Sequence, residues 1–127
     1  MKQILFTEKA PAPIGPYNQA ILSGNTLYTS GQIAINPATG DLVLDSIEIE
    51  TKQVMENIKS ILEAAELTFA HVIKTTIFLS DMGLFAQVNE VYGSYFSKDF
   101  PARETVAVKT LPRNVNIEIS ITAVLTL

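Results

Sequence analysis

The chain has 127 residues, enough for one domain with a real core and short for two. Lys and Arg number 9 against 13 Asp and Glu, a formal net charge of −4 that does not suit a phosphate backbone. With no cysteine and only His71 as histidine, disulfides, thiolate nucleophiles, iron–sulfur clusters, Cys-type zinc sites and two-histidine metal sites within one chain are excluded.

A Ser-His-Asp triad could form only around His71, which precedes a strand where a solvated histidine is ordinary. Charged residues make up 17%, against about 25% in typical domains. So few charges point to a surface hidden against copies of the same chain. No apolar run approaches the ~20 residues of a membrane span. The apolar stretch within Met1–Glu8 is too short for a signal peptide, so the expected compartment is the cytoplasm and no membrane partner is expected.

In chain order, the segment Ala10-Pro11-Ala12-Pro13-Ile14-Gly15-Pro16-Tyr17 is dense in Pro and Gly and reads as an ordered loop. Ala20–Leu22 and Thr26–Ile33 flank Ser23-Gly24-Asn25 and predict a β-hairpin. Within the second strand, Ser30-Gly31 suits a bulge that would offer a backbone N–H to a ligand. From about Ile47 to Leu67 the residues Val54, Ile58, Ile61, Leu62 and Ala65 share one helical face. Val72–Leu79 is β-rich and reads as a strand buried on both faces.

Asp81 suits the N-cap of a second helix, with Phe85, Val88, Tyr92, Tyr95 and Phe96 on one side and Phe100-Pro101 ending it. Two strands follow, Glu104–Lys109 and Val115–Leu125. The order β-β-α-β-α-β-β describes a mixed sheet with two helices on one face. The other face then meets water or another subunit, and the low charge favours the subunit.

In the last strand Val115, Ile117, Ile119, Ile121 and Ala123 alternate with Asn116, Glu118, Ser120 and Thr122. In the strand before it, Val106 and Val108 share the apolar face, and Arg103, Thr105, Ala107 and Lys109 share the other. Arg103 and Glu118 thus fall on polar faces. These are either solvated or functional, with Arg103 as a carboxylate clamp and Glu118 as a general base. A simple hairpin about Pro112-Arg113 would leave Arg103 roughly 13 Å along from the residue facing Glu118. The pairing is therefore different, or another chain completes the site. Tyr17 is held by its stiff loop. No phosphate-binding glycine loop occurs.

Read together, Ala12-Pro13-Ile14-Gly15-Pro16-Tyr17-Asn18-Gln19-Ala20, Tyr28-Thr29-Ser30-Gly31-Gln32-Ile33, Asn36-Pro37-Ala38-Thr39-Gly40, Val72–Leu79, Val88–Tyr92, Pro101-Ala102-Arg103 and Leu111-Pro112 with Val115–Ile119 resemble the Rid (YjgF) family of reactive-intermediate deaminases. The resemblance covers nearly the whole chain. It implies a chorismate-mutase-like α+β fold, a mixed six-stranded sheet with two helices on one face, assembled as a homotrimer with clefts between subunits. The implied activity is hydrolysis of 2-imino acids, such as 2-iminopropanoate and 2-iminobutanoate, to 2-oxo acids and ammonia. No metal or cofactor is implied, since an imine is already electrophilic.

By position, Arg103 would bind the substrate carboxylate and Glu118 would hold the attacking water, with Tyr17, Ser30, Gly31, Asn89 and Thr105 lining the cleft. Many members carry a small residue and then Cys after the Arg, whereas here Glu104 and Thr105 follow it. The competing expectations are a non-catalytic ligand-binding trimer and a ribonuclease. The negative charge and the lack of a basic cluster argue against the ribonuclease.

Overall fold

A computed structural model describes residues 1–127 as eight regular elements. They are β1 (Lys2–Leu5), β2 (Ala20–Ser23), β3 (Thr26–Thr29), α1 (Ile47–Ala64), β4 (Val72–Leu79), α2 (Phe85–Gly93), β5 (Ala102–Ala107) and β6 (Ile117–Val124). The sheet runs β1-β2-β3-β6-β4-β5. Every neighbouring pair is antiparallel except β4 and β5. Those two are parallel, as strands joined through a crossover helix must be, and α2 supplies the crossover. This is the mixed six-stranded sheet with two helices expected from the sequence. No helix is long and apolar enough to cross a membrane.

Three local expectations need correction. The residue pattern left out the sixth strand, β1, which is mostly exposed and gains its order by pairing along β2. The helix expected to run to Phe100 stops at Gly93, where the Ser94 hydroxyl turns back to the Val91 carbonyl. Tyr95 and Phe96 still pack inward through an aromatic cluster, with Phe96 5.0 Å from Tyr92 and 5.4 Å from Phe69 between ring centres. Finally, β4 is buried on one face only. Thr75, Ile77 and Leu79 lie under the helices, while Lys74, Thr76 and Phe78 are partly exposed on the open face.

The main core lies between the sheet and α1. Val54, Met55, Ile58, Ile61 and Leu62 are at most 1% exposed and pack on Ile77, Leu79, Ile117, Ile119 and Ala123. Cutting any one of the larger side chains to Ala would cost about 2–5 kcal/mol. Helix α1 starts at Ser46, whose hydroxyl accepts from Ile49 N at 3.1 Å, with Glu48 and Glu50 in the first turn where the helix dipole favours anions. It ends in a Schellman turn: Leu67 N donates to Leu62 O, Glu66 N donates to Glu63 O, and Glu66 sits at φ 60°. A second, smaller cluster of Ile33, Ile35, Leu111 and Val115 gathers under Phe78 on the open face.

Candidate active site

The sheet order decides where the expected site residues go. Strand β4 lies between β5 and β6, so Arg103 and Glu118 are never hairpin partners. Arg103 is level with Thr75, and Glu118 is level with Phe78. Thr75 faces the helices and Phe78 faces the open side, so Arg103 and Glu118 project from opposite faces of the sheet. Three residues along β4 and two strand spacings put their Cα atoms about 14 Å apart. The sequence expectation that both occupy polar faces off the core holds for Glu118 and fails for Arg103. It fails because β5 follows α2 and lays its odd residues beneath that helix.

Glu118 stands in a cavity of about 390 Å³. Its walls come from the loop before β2 (Pro11, Ile14, Tyr17), from the stretch after β3 (Ser30, Gly31, Ile33) and from Pro112. The chain leaves β3 at Ser30 and returns at Gln32, which exchanges backbone hydrogen bonds with Ile119 at 2.8 and 3.1 Å. The interruption is the bulge expected at Ser30-Gly31. It bares Gly31, against which the Glu118 carboxylate rests. Burial raises the proton affinity of Glu118 above that of an exposed glutamate.

The loop carrying Tyr17 is pinned by Gln19, which lies in the first of the family-like stretches but has no role readable from sequence. Only 2% exposed, Gln19 donates from Nε2 to the carbonyls of Thr7, Ala10 and Pro11 and accepts at Oε1 from Thr7 N. The Tyr17 hydroxyl accepts from Ile14 N at 3.3 Å, and the ring rests beside Gly15. The opposite wall is fixed from α1, where buried Asn57 donates to the carbonyls of Ile33 and Ile35 at 3.2 and 3.0 Å. Buried amides of this kind look like ordinary surface residues in a sequence, because only the fold shows which carbonyls they reach.

Arg103 belongs to a separate, shallower recess of about 280 Å³ with Asn89, Tyr92, Gly93, Phe100 and Pro101. Its guanidinium carbon stands 5.0 Å from the Tyr92 ring centre and 5.5 Å from that of Phe85. The Tyr92 hydroxyl is tied to Thr75 at 2.8 Å, which fixes that ring. Arg103 has no carboxylate partner, since the one ion pair of the chain joins Lys74 to Glu104 at 2.9 Å. Glu104 lies on the other face, where Thr76 also donates to it; that bond and Lys74 hold its proton affinity below the ordinary value. It therefore does not compete for Arg103.

The expected residues thus fall into two groups. Tyr17, Ser30, Gly31 and Glu118 share one cavity, and Asn89 and Arg103 share the other. Thr105 lines neither. It follows Arg103 on the helix side of β5, and its hydroxyl is buried without a hydrogen-bond partner. His71 is occupied structurally: its Nδ1 accepts from Thr68 N at 3.1 Å within a capping box.

A mixed six-stranded sheet with two helices on one face is the fold that the resemblance to the Rid family implies. Comparison with known proteins agrees. Residues 7–125 match the family described as endoribonuclease L-PSP, and the chain belongs to that family, which is the Rid (YjgF) family. It is 55% identical to a RutC family protein of Pyrococcus horikoshii over 119 residues, 94% of each chain. It is 44% identical to the human 2-iminobutanoate/2-iminopropanoate deaminase, covering 98% of this chain and 90% of the human one. Among solved structures, a conserved Rid family protein from Yersinia pestis superposes with a TM-score of 0.95 at 46% identity, covering 98% of this chain and 99% of that one.

Proposed function

We propose that the protein hydrolyses small 2-imino acids to 2-oxo acids and ammonia, in clefts formed where the Glu118 cavity of one copy meets the Arg103 recess of the next. The carrying observation is the placement of Arg103 and Glu118 on opposite faces of one sheet. No single chain can present both to a substrate of three or four carbons. Two different patches meeting head to tail generate a closed ring when the rotation permits, and a homotrimer is the ring proposed. The 44% identity to a human protein named as an imine deaminase supports the reaction.

Each group has a task suited to its surroundings. Arg103, within cation–π distance of two rings and free of any carboxylate, binds the substrate carboxylate through its planar fork. Glu118, with raised proton affinity, takes a proton from a water as that water adds to the iminium carbon. The proton passes to nitrogen. The carbinolamine hydroxyl then returns its own proton to the carboxylate as the C–N bond breaks, leaving a 2-oxo acid and ammonia. Tyr17, Ser30, Gly31 and Asn89 line the joined cleft. Thr105 lies beside the clamp, so a thiol at that position is dispensable in this reading.

An RNA substrate, which the family description suggests, is disfavoured by the net charge of −4 and by the structural engagement of the sole histidine. The deciding experiment couples the protein to a threonine or serine dehydratase and traps remaining imine with semicarbazide. Wild type lowers the trapped product; Arg103→Ala and Glu118→Gln alone do not. Refolding the two variants together restores part of the activity, because some mixed clefts hold both native residues. Either variant alone lowering the trapped product as far as wild type does at the same concentration would overturn the reading.

A further inference from the structure

The most deeply buried acidic side chain of the chain lies outside both recesses. Glu50, in the first turn of α1, is 0% exposed and has no cation partner. Its two oxygens each accept one hydrogen bond from the same residue: Oε2 from the Asn116 backbone N–H and Oε1 from Asn116 Nδ2, both at 2.8 Å. Asn116 is the residue just before β6, two positions from Glu118. It is tied further to Ser80, whose N–H donates to the Asn116 carbonyl at 2.9 Å and whose hydroxyl donates to Oδ1 at 3.0 Å. A core residue whose only task was packing would be apolar, since burying a carboxylate is costly unless its oxygens are satisfied. Here both oxygens are spent on one residue, through its backbone and its side chain.

We propose that Glu50, acting through Asn116, is a positioning residue for Glu118. The bidentate bond fixes the height and rotation at which the chain enters β6. The strand alternation then carries that setting to Glu118. The setting must be close, because Glu118 lies against the bared backbone of Gly31 and has no slack in that direction. From the opposite wall, Asn57 of the same helix fixes Ile33 and Ile35, so α1 holds both sides of the cavity. The inference rests on the deaminase reading and adds a residue to it that touches no substrate.

The role predicts a split between turnover and binding. The substrate carboxylate is held by Arg103 in the other recess, so loosening Glu118 lowers kcat and leaves KM nearly unchanged. Glu50→Ala should reduce kcat about tenfold or more with KM within about twofold. Glu50→Gln should stay close to wild type. Its amide can donate to Asn116 Oδ1 if that side chain turns over, while the flipped Nδ2 donates to Ser80. Asn116→Ala keeps the backbone bond to Glu50, so it tests the role even if Glu50→Ala fails to assemble, and it should fall between the two.

The measurement is steady-state kinetics of imine loss on the assembled variants, with assembly checked by ultracentrifugation. A fall in kcat alone, rescued by Gln, supports the role. An unchanged kcat in Glu50→Ala and Asn116→Ala, or kcat and KM moving together, overturns it while leaving the deaminase reading intact. An inactive but assembled wild type removes the deaminase reading, and this role with it.

Discussion

Glu118 occupies the space where a side chain on residue 31 would begin. A Cβ at Gly31 would fall 2.6 Å from Glu118 Oε2 and 2.7 Å from Cδ, closer than real Cβ contacts come. Gly31 does not adopt a positive φ, so the requirement is one of space and not of backbone freedom. The absent side chain at residue 31 and the half-buried carboxylate at residue 118 form one device.

Gly31→Ala is therefore expected to fold and to fail in turnover. The methyl group pushes the carboxylate off its seat, and a displacement near 1 Å costs on the order of 10²-fold in a positioned reaction. Imine-trapping kinetics check this, with circular dichroism confirming the fold. Turnover within threefold of wild type would remove Glu118 from the role of water holder.

The raised proton affinity of Glu118 has two consequences with pH. The native state binds this proton more tightly than the unfolded chain, so its contribution to stability falls as pH rises from the unfolded value of about 4.3 through the higher native one. Glu118→Gln should be more stable than wild type at pH 7, the difference closing below about pH 4. Urea unfolding at the two pH values measures it. In the active protein the acid limb of kcat should lie above the range of an exposed glutamate.

Replacing Arg103 separates charge from shape. Arg103→Lys keeps a cation and loses both the two-pronged contact and the guanidinium's position against the Tyr92 and Phe85 rings. Removing a hydrogen bond to a charged group costs about 1.5–3 kcal/mol. The expected loss in kcat/KM is therefore about 10- to 150-fold for Arg103→Ala, with Lys recovering only part. A lysine variant equal to wild type would show that a point charge suffices.

A stability prediction comes from the end of α1. Glu66 holds a left-handed conformation at φ 60° in the Schellman turn, a position that favours glycine. Glu66→Gly should raise unfolding stability by about 0.5–1 kcal/mol, the relief of strain exceeding the added freedom of the unfolded chain. Denaturant midpoints at constant slope check it, and a lowered midpoint would contradict the assignment of the turn.

Much of this architecture is legible in the residue pattern, because helix and strand periods act over short range. The α1 face from Val54 to Leu62, the odd–even alternation of β6 and the bulge at Ser30-Gly31 all follow from neighbours in sequence. The face taken by Arg103 does not. It depends on β5 pairing with β4 after a crossover, a contact between segments far apart in the chain that alternation alone cannot orient. The roles of Gln19, Glu50 and Asn57 are hidden for a related reason: the groups they bond are brought near only by the finished fold.

The opposed faces of Arg103 and Glu118 also bear on inheritance. In a ring built from these half-sites, every chain serves two clefts, lending its arginine to one neighbour and its glutamate to the other. A subunit lacking one residue silences a single cleft. A subunit lacking both silences the clefts on either side of itself. When good and bad copies are made together, the doubly altered chain should act as the stronger poison, and two singly altered chains should rescue each other.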